Sequence, residues 1–138
     1  MSSAQNAIEA ILYSTLTADT AAGKLMTIVS GVYNTVAPYA ATYPFVVLNL
    51  VDSDDVYTLT QRIRTRYRYQ IKCVGKGLDN TVAISAMSRI DTLLNRVTLA
   101  VTGYTFWVCE RVSGMAFVEE NAGVFYQHVS SDFKIEVA

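Results

Sequence analysis

Four arginines stand at every second position, Arg62, Arg64, Arg66 and Arg68, and Gln70 and Lys72 continue the spacing. A guanidinium binds carboxylates and phosphates through planar, two-point contacts, so this pattern speaks of recognition. In an extended chain the arginines lie about 7 Å apart on one face. Like charges that close repel by roughly several tenths of a kcal/mol per exposed pair in high dielectric. Three sources can offset that. One is solvent alone, with the ladder acting as an edge guarded against aggregation. Another is an acidic face of a neighbouring subunit, supplied by Asp52, Asp54, Asp55, Glu119 or Glu120. The third is a phosphate backbone, which arginine contacts without sequence preference. Tyr67 and Tyr69 fall on the opposite face of the strand and cannot stack bases beside the arginines.

Other residues with chemical potential lack the neighbours that chemistry needs. His128 is the single histidine, on the polar side of a C-terminal strand, and no motif sets a nucleophile near it. Gly75-Lys76-Gly77 lacks the frame of a phosphate loop and reads as a strand-to-helix turn. Asp52-Ser53-Asp54-Asp55 reads as a solvated acidic loop, because no glycine or distal glutamate follows in calcium-loop register. Glu119 and Glu120 are adjacent in a turn. Cys73 and Cys109 fit no metal spacing and read as buried, reduced thiols. The expectation is therefore a protein that is not an enzyme, with no catalytic residue, cofactor or metal.

Hydrophobic residues make up 51% of the 138-residue chain and charged residues 17%. That balance folds as one domain spanning residues 1–138 and leaves little charge for the surface, so some apolar surface is expected against partners. Nine tyrosines favour the same reading, since tyrosine supplies large amphipathic contact area. The net charge of −1 carries no overall nucleic-acid signature. No apolar run approaches the length of a membrane span, and Met1 to Gln5 lack the pattern of a signal peptide. A soluble protein made in the cytoplasm, with no membrane partner, is expected.

The elements that position these residues follow from periodicity. Ile8, Ile11, Leu12, Thr15 and Leu16 give a helix over about 4–16. Asp19 and Thr20 cap a short helical turn running to about Met26. A short strand, 32–36, precedes an almost continuously apolar strand, 45–51, of the kind buried on both faces. From Arg62 to Val74 strict alternation specifies a long strand with one buried face, whose outer end projects as a hairpin arm. Asp79 or Asn80 caps a helix over about 81–99, with Val82, Ala86, Ile90, Leu93, Leu94 and Val97 inward and Arg89 and Arg96 outward. Strands at 105–112, continuing toward 118, and at 124–137 close the chain around a turn at 119–123, where Asn121 and Gly123 supply positive φ. The expected fold is α+β: a mostly antiparallel β-sheet, two α-helices packed on one face, and a long β-hairpin arm.

Nearly the whole chain, from Ala7 to Val137, resembles the small tail-terminator or tail-completion proteins of long-tailed bacteriophages, prophages and gene transfer agents. The resemblance is carried by Ile8-Glu9-Ala10-Ile11-Leu12, by Leu16-Thr17-Ala18-Asp19, and by Gly31-Val32-Tyr33-Asn34 with Val36-Ala37-Pro38. It continues through Ala41-Thr42-Tyr43-Pro44-Phe45-Val46-Val47, the long alternating strand and helix after it, and the closing Gly123-Val124-Phe125-Tyr126 and Asp132-Phe133-Lys134-Ile135. The helix after the basic strand is less alanine-rich than in that family, and the basic ladder is denser. The resemblance implies a ring, usually a hexamer, that caps the finished tail tube, stops its growth and offers a surface for head joining. The implied partners are other copies of the chain, a tail-tube protein and a head-tail connector or neck protein, with DNA passing through the lumen. The implied location is the virion, assembled in the host cytoplasm. A neck or head-completion protein is the alternative within the virion, and a DNA-binding module using the ladder is the alternative outside it.

Overall fold

Residues 4–138 are described by a computed structural model; Met1 to Ser3, part of the segment read for a signal peptide, lie outside the described residues. The elements are α1 (Gln5–Thr17), α2 (Leu25–Ile28), β1 (Val32–Asn34), β2 (Phe45–Tyr57), β3 (Arg62–Lys76), α3 (Thr81–Leu94), β4 (Phe106–Asn121) and β5 (Val124–Val137). The strands form one sheet in the order β1-β2-β3-β5-β4. Only β1 and β2 run parallel; the other neighbours are antiparallel.

β3 sits at the centre. Its alternation turns Tyr67, Tyr69, Ile71 and Cys73 to the face that carries the helices, where all four are buried. Val46 and Leu48 of β2 and Phe133, Ile135 and Val137 of β5 join them. From α1 come Ile8, Leu12 and Leu16, four residues apart and fully buried. Ala83, Ala86, Met87, Ile90 and Leu94 of α3 complete the core. A much smaller cluster, Phe45, Val47 and Val74 with Tyr33 and Tyr126, occupies the other face near β1. The rest of that face is open.

Several boundaries differ from the sequence expectations. The sheet carries three helices because the turn after Asp19 closes into the four-residue α2. Asp19 Oδ2 accepts the Leu25 amide at 2.9 Å at its start. α3 stops at Leu94, since Asn95 is extended and Arg96 takes φ 59°. Its buried stripe is also rotated: Val82 is exposed and Ala83 and Met87 face inward. Asp79, not Asn80, supplies the cap, accepting from the Thr81 amide at 2.9 Å. The acidic run is not a loop, because β2 continues through it to Tyr57, paired throughout with β3. The arm is short: β3 is paired with β5 from Thr65 onward, so only the tip around residues 56–64 extends past the sheet body. The β4–β5 turn takes its positive φ at Ala122 (54°) and Gly123 (81°), with Asn121 still in the strand.

Cys73 and Cys109 are buried free thiols, and burial pushes both up to about 12. Arg89, expected to face outward, instead grips Asp19 through Nε at 2.7 Å and Nη2 at 3.0 Å. This pair ties α3 to the segment between α1 and α2. The Arg89 hydrogen bonds hold the Asp19 carboxyl at about 2, below its ordinary 3.8. A carboxyl depressed on folding stabilises the fold above the unfolded value and loses that contribution as pH falls through the folded one. The stability gap between wild type and Asp19→Asn, measured by urea denaturation, is therefore constant above pH 5 and narrows between about pH 4 and pH 2.

Candidate functional site

The open face of the sheet carries the ladder, and its partners come from the strands on either side of β3. Arg66 lies opposite Asp54 of β2 and Glu136 of β5 in register. Its guanidinium takes Asp54 through both Nε, at 3.1 Å, and Nη2. That contact raises the Arg66 pKa further above its ordinary value. Arg68 takes Asp132 of β5 the same way, at 3.1 and 2.8 Å. Arg64 donates from Nε to Glu136 and lies over the Trp107 ring, 5.0 Å from its centroid. Lys134 reaches Glu110 at 3.0 Å and Glu136 at 3.4 Å, and the Glu110 contact raises its pKa. Three arginines and a lysine thus meet four carboxylates, in alternation across β2, β3, β5 and β4.

Arg62 leaves this face. The register slips between Val56 and Tyr57, so Val56 opposes Arg64 while Tyr57 opposes Arg62, with Ile63 as the extra residue. Arg62 reaches Asp55 at 3.5 Å, on the side where Asp55 accepts the Thr65 hydroxyl at 2.8 Å. The ladder on the open face is therefore Arg64, Arg66 and Arg68. Asp52 stands opposite Arg68 and lines a hollow of about 290 Å³ with Arg66, Arg68 and Lys134. Of the expected acidic complements, Asp54 and Asp55 pair with arginines of their own chain.

The remaining expected residues lie elsewhere. Lys72 opposes Ser130 and lines a hollow of about 400 Å³ with Asn49, Glu119 and His128. Glu119 bonds the His128 Nε2 at 2.9 Å, and the His128 ring stacks on Phe117 with centroids 4.5 Å apart. Glu120 is exposed near the end of β4, opposite Phe125. Glu119 and Glu120 thus sit at the opposite end of the sheet from the ladder. Among the described residues no group of three or more His, Cys, Asp or Glu could hold a metal, and no helix is long and apolar enough to cross a membrane.

Sequence reasoning missed Glu110, Asp132, Lys134 and Glu136. A signal for three of them was present: Asp132, Lys134 and Glu136 alternate on the polar side of the last strand with the same period as the arginines. Neither a protein-family model nor a curated protein matches the sequence. A solved structure does. The fold is that of a chain in the virion of a native gene transfer agent particle. The match has a TM-score of 0.84 at 20% identity and covers 99% of this chain and 98% of that one. At that identity the likeness is one of fold, from end to end and without an inserted or missing domain.

Glu136 is the most enclosed member of the network, its side chain 8% exposed, while Asp54 is 55% exposed. Removing one partner of a buried pair strands the other charge, whereas an exposed pair is screened by water. Glu136→Ala should lose about 2–4 kcal/mol in urea denaturation. Asp54→Ala should leave the midpoint nearly unchanged.

Proposed function

We propose that this chain is a structural subunit of a virus or virus-like particle, forming a ring that caps a tail tube, ends its polymerisation and presents a surface for head joining. The observation that carries this reading is the end-to-end match to a virion chain of a gene transfer agent particle. The sequence resemblance to tail terminators points the same way. The surface supports it as well: Trp107, Met115, Phe117 and Val118 of β4 and Leu59 at the arm tip are large apolar side chains left exposed, as at contact sites. The work is binding, and nothing is turned over. A ring closes through contacts in which one patch meets a different patch of the next copy. The sheet offers unlike patches for this, the free half of β2 with Asp52, Asp54 and Asp55, and the exposed Trp107 near the start of β4.

The partners in this reading are further copies of the chain, the tube protein below and a connector or neck protein above. Electron microscopy of the purified protein should show rings of about six copies, and particles lacking it should carry overlong tails. Normal-length tails detached from filled heads would assign it to the neck instead. A chain that stays monomeric both alone and in the particle would end the ring reading.

The paired ladder also sets an expectation for DNA. Each of the three open-face arginines is held by a carboxylate of the same sheet, so the face offers a polyanion little net positive charge. Such a face suits a conduit better than a binding site. Wild-type protein should bind duplex DNA weakly at low salt. The double variant Asp54→Asn, Asp132→Asn should bind at least tenfold tighter, with a steeper salt dependence, in a fluorescence titration.

A further inference from the structure

β4 is an edge strand of 16 residues, and its two halves are finished differently. Along the first half the turn after α3 covers the edge. The Arg96 amide donates to the Cys109 carbonyl at 2.7 Å, and Asn95 Oδ1 accepts the Arg111 amide at 3.0 Å. The register then slips between Arg111 and Ser113. Beyond the slip, Gly114, Ala116, Val118 and Glu120 oppose Ser131, Val129, Gln127 and Phe125. The Phe125 carbonyl accepts the Gly77 amide on the β3 side, so these four β5 residues turn their backbone groups toward β3. Their β4 partners must then turn theirs outward. A row of amides and carbonyls at Gly114, Ala116, Val118 and Glu120 faces away from the sheet, with no strand beside it among the described residues.

Natural sheets guard such an edge with charges, proline or a cover. This one does the reverse: Val112 to Val118 contains no charged residue, and Met115, Phe117 and Val118 are each about half exposed. A groove of about 520 Å³ runs beside the same row, between β4 and α3, lined by Ile84, Met87, Asp91, Arg111 and Ala116. Asp91 Oδ1 is buried in its wall with no hydrogen-bond partner. The Arg111 guanidinium is engaged by Ser131 Oγ at 3.0 Å and lies over Gly114, where an added Cβ would stand 2.0 Å from Nη2. A Cβ at that position would displace the Arg111 guanidinium.

We propose that the outer half of β4 takes an extended, lysine- or arginine-bearing segment of a different protein as an added strand. Alternate side chains of that segment enter the groove beside α3, and its cation reaches Asp91. The backbone row supplies affinity, and the groove supplies selectivity. The free edge of a second copy, β2 from Leu50 to Tyr57, suits this place poorly. It carries no lysine or arginine to meet Asp91, and its Asp54 and Asp55 are already held by Arg66 and Arg62. The inference rests on the edge and the groove and stands apart from the ring reading.

The test uses isotope-labelled full-length protein and two capped heptapeptides of alternating valine and threonine, one with lysine at the centre and one with glutamate. In nuclear magnetic resonance titrations the lysine peptide should shift the amides of Gly114, Ala116, Val118 and Glu120, and bind at least tenfold tighter than the glutamate peptide. Asp91→Asn should remove at least fivefold of that preference. Ala116→Pro deletes an amide that points away from β5, so the sheet should persist while binding is lost. The proposal is overturned if neither peptide shifts these amides, or if Asp91→Asn leaves the preference intact. It is equally overturned if the same amides shift with protein concentration alone, because a second copy would then be the occupant.

Discussion

The pleat of β3 binds two demands together. Tyr67, Tyr69, Ile71 and Cys73 have to lie under the helices, and the same alternation places Arg64, Arg66 and Arg68 on the other side. A slip of one residue would drive guanidiniums into the core, at a cost of several kcal/mol each. The flanking strands repeat the arrangement. Asp132 and Glu136 on β5 are placed where the arginines arrive by their strand's alternation, and Asp54 on β2 by the register shift between Leu50 and Asp52. Register is thus specified twice, once by apolar burial and once by charge pairing, in a sheet whose open face has no second layer over most of its area.

What could be read from the sequence tracks how local the signal was. The long basic strand, the first helix and the final strand announce themselves through periodicity over ten residues or more. The acidic run did not, because Asp and Ser are poor strand formers, and their pairing with Arg66 and Thr65 is a contact across the hairpin. The end of α3 was misplaced because Val97 and Leu99 keep a helical spacing of apolar residues while packing from an extended connection. The slip that turns Arg62 to the other face leaves no trace in composition. The ladder's partners are not legible in the sequence, because pairing across strands distant in sequence follows from the sheet order β2-β3-β5, which no single segment encodes.

An unpaired row of arginines would have meant a sticky surface waiting for an acidic face or a phosphate chain. The paired row is instead a finished surface, polar and close to neutral. The unfinished parts of the molecule are its edges: the outer half of β4, the free half of β2, and the tip with Leu59 fully exposed. Edges and tips are where a sheet protein joins other chains.

The two interior thiols bear on where such a protein can function. Both sit in the helix-covered core, protonated far above neutral pH because burial disfavours the thiolate. Only the thiolate attacks disulfides or is readily oxidised, so burial holds both sulfurs in their less reactive form. The same burial guards them alike in the reducing interior of a cell and in air-saturated surroundings.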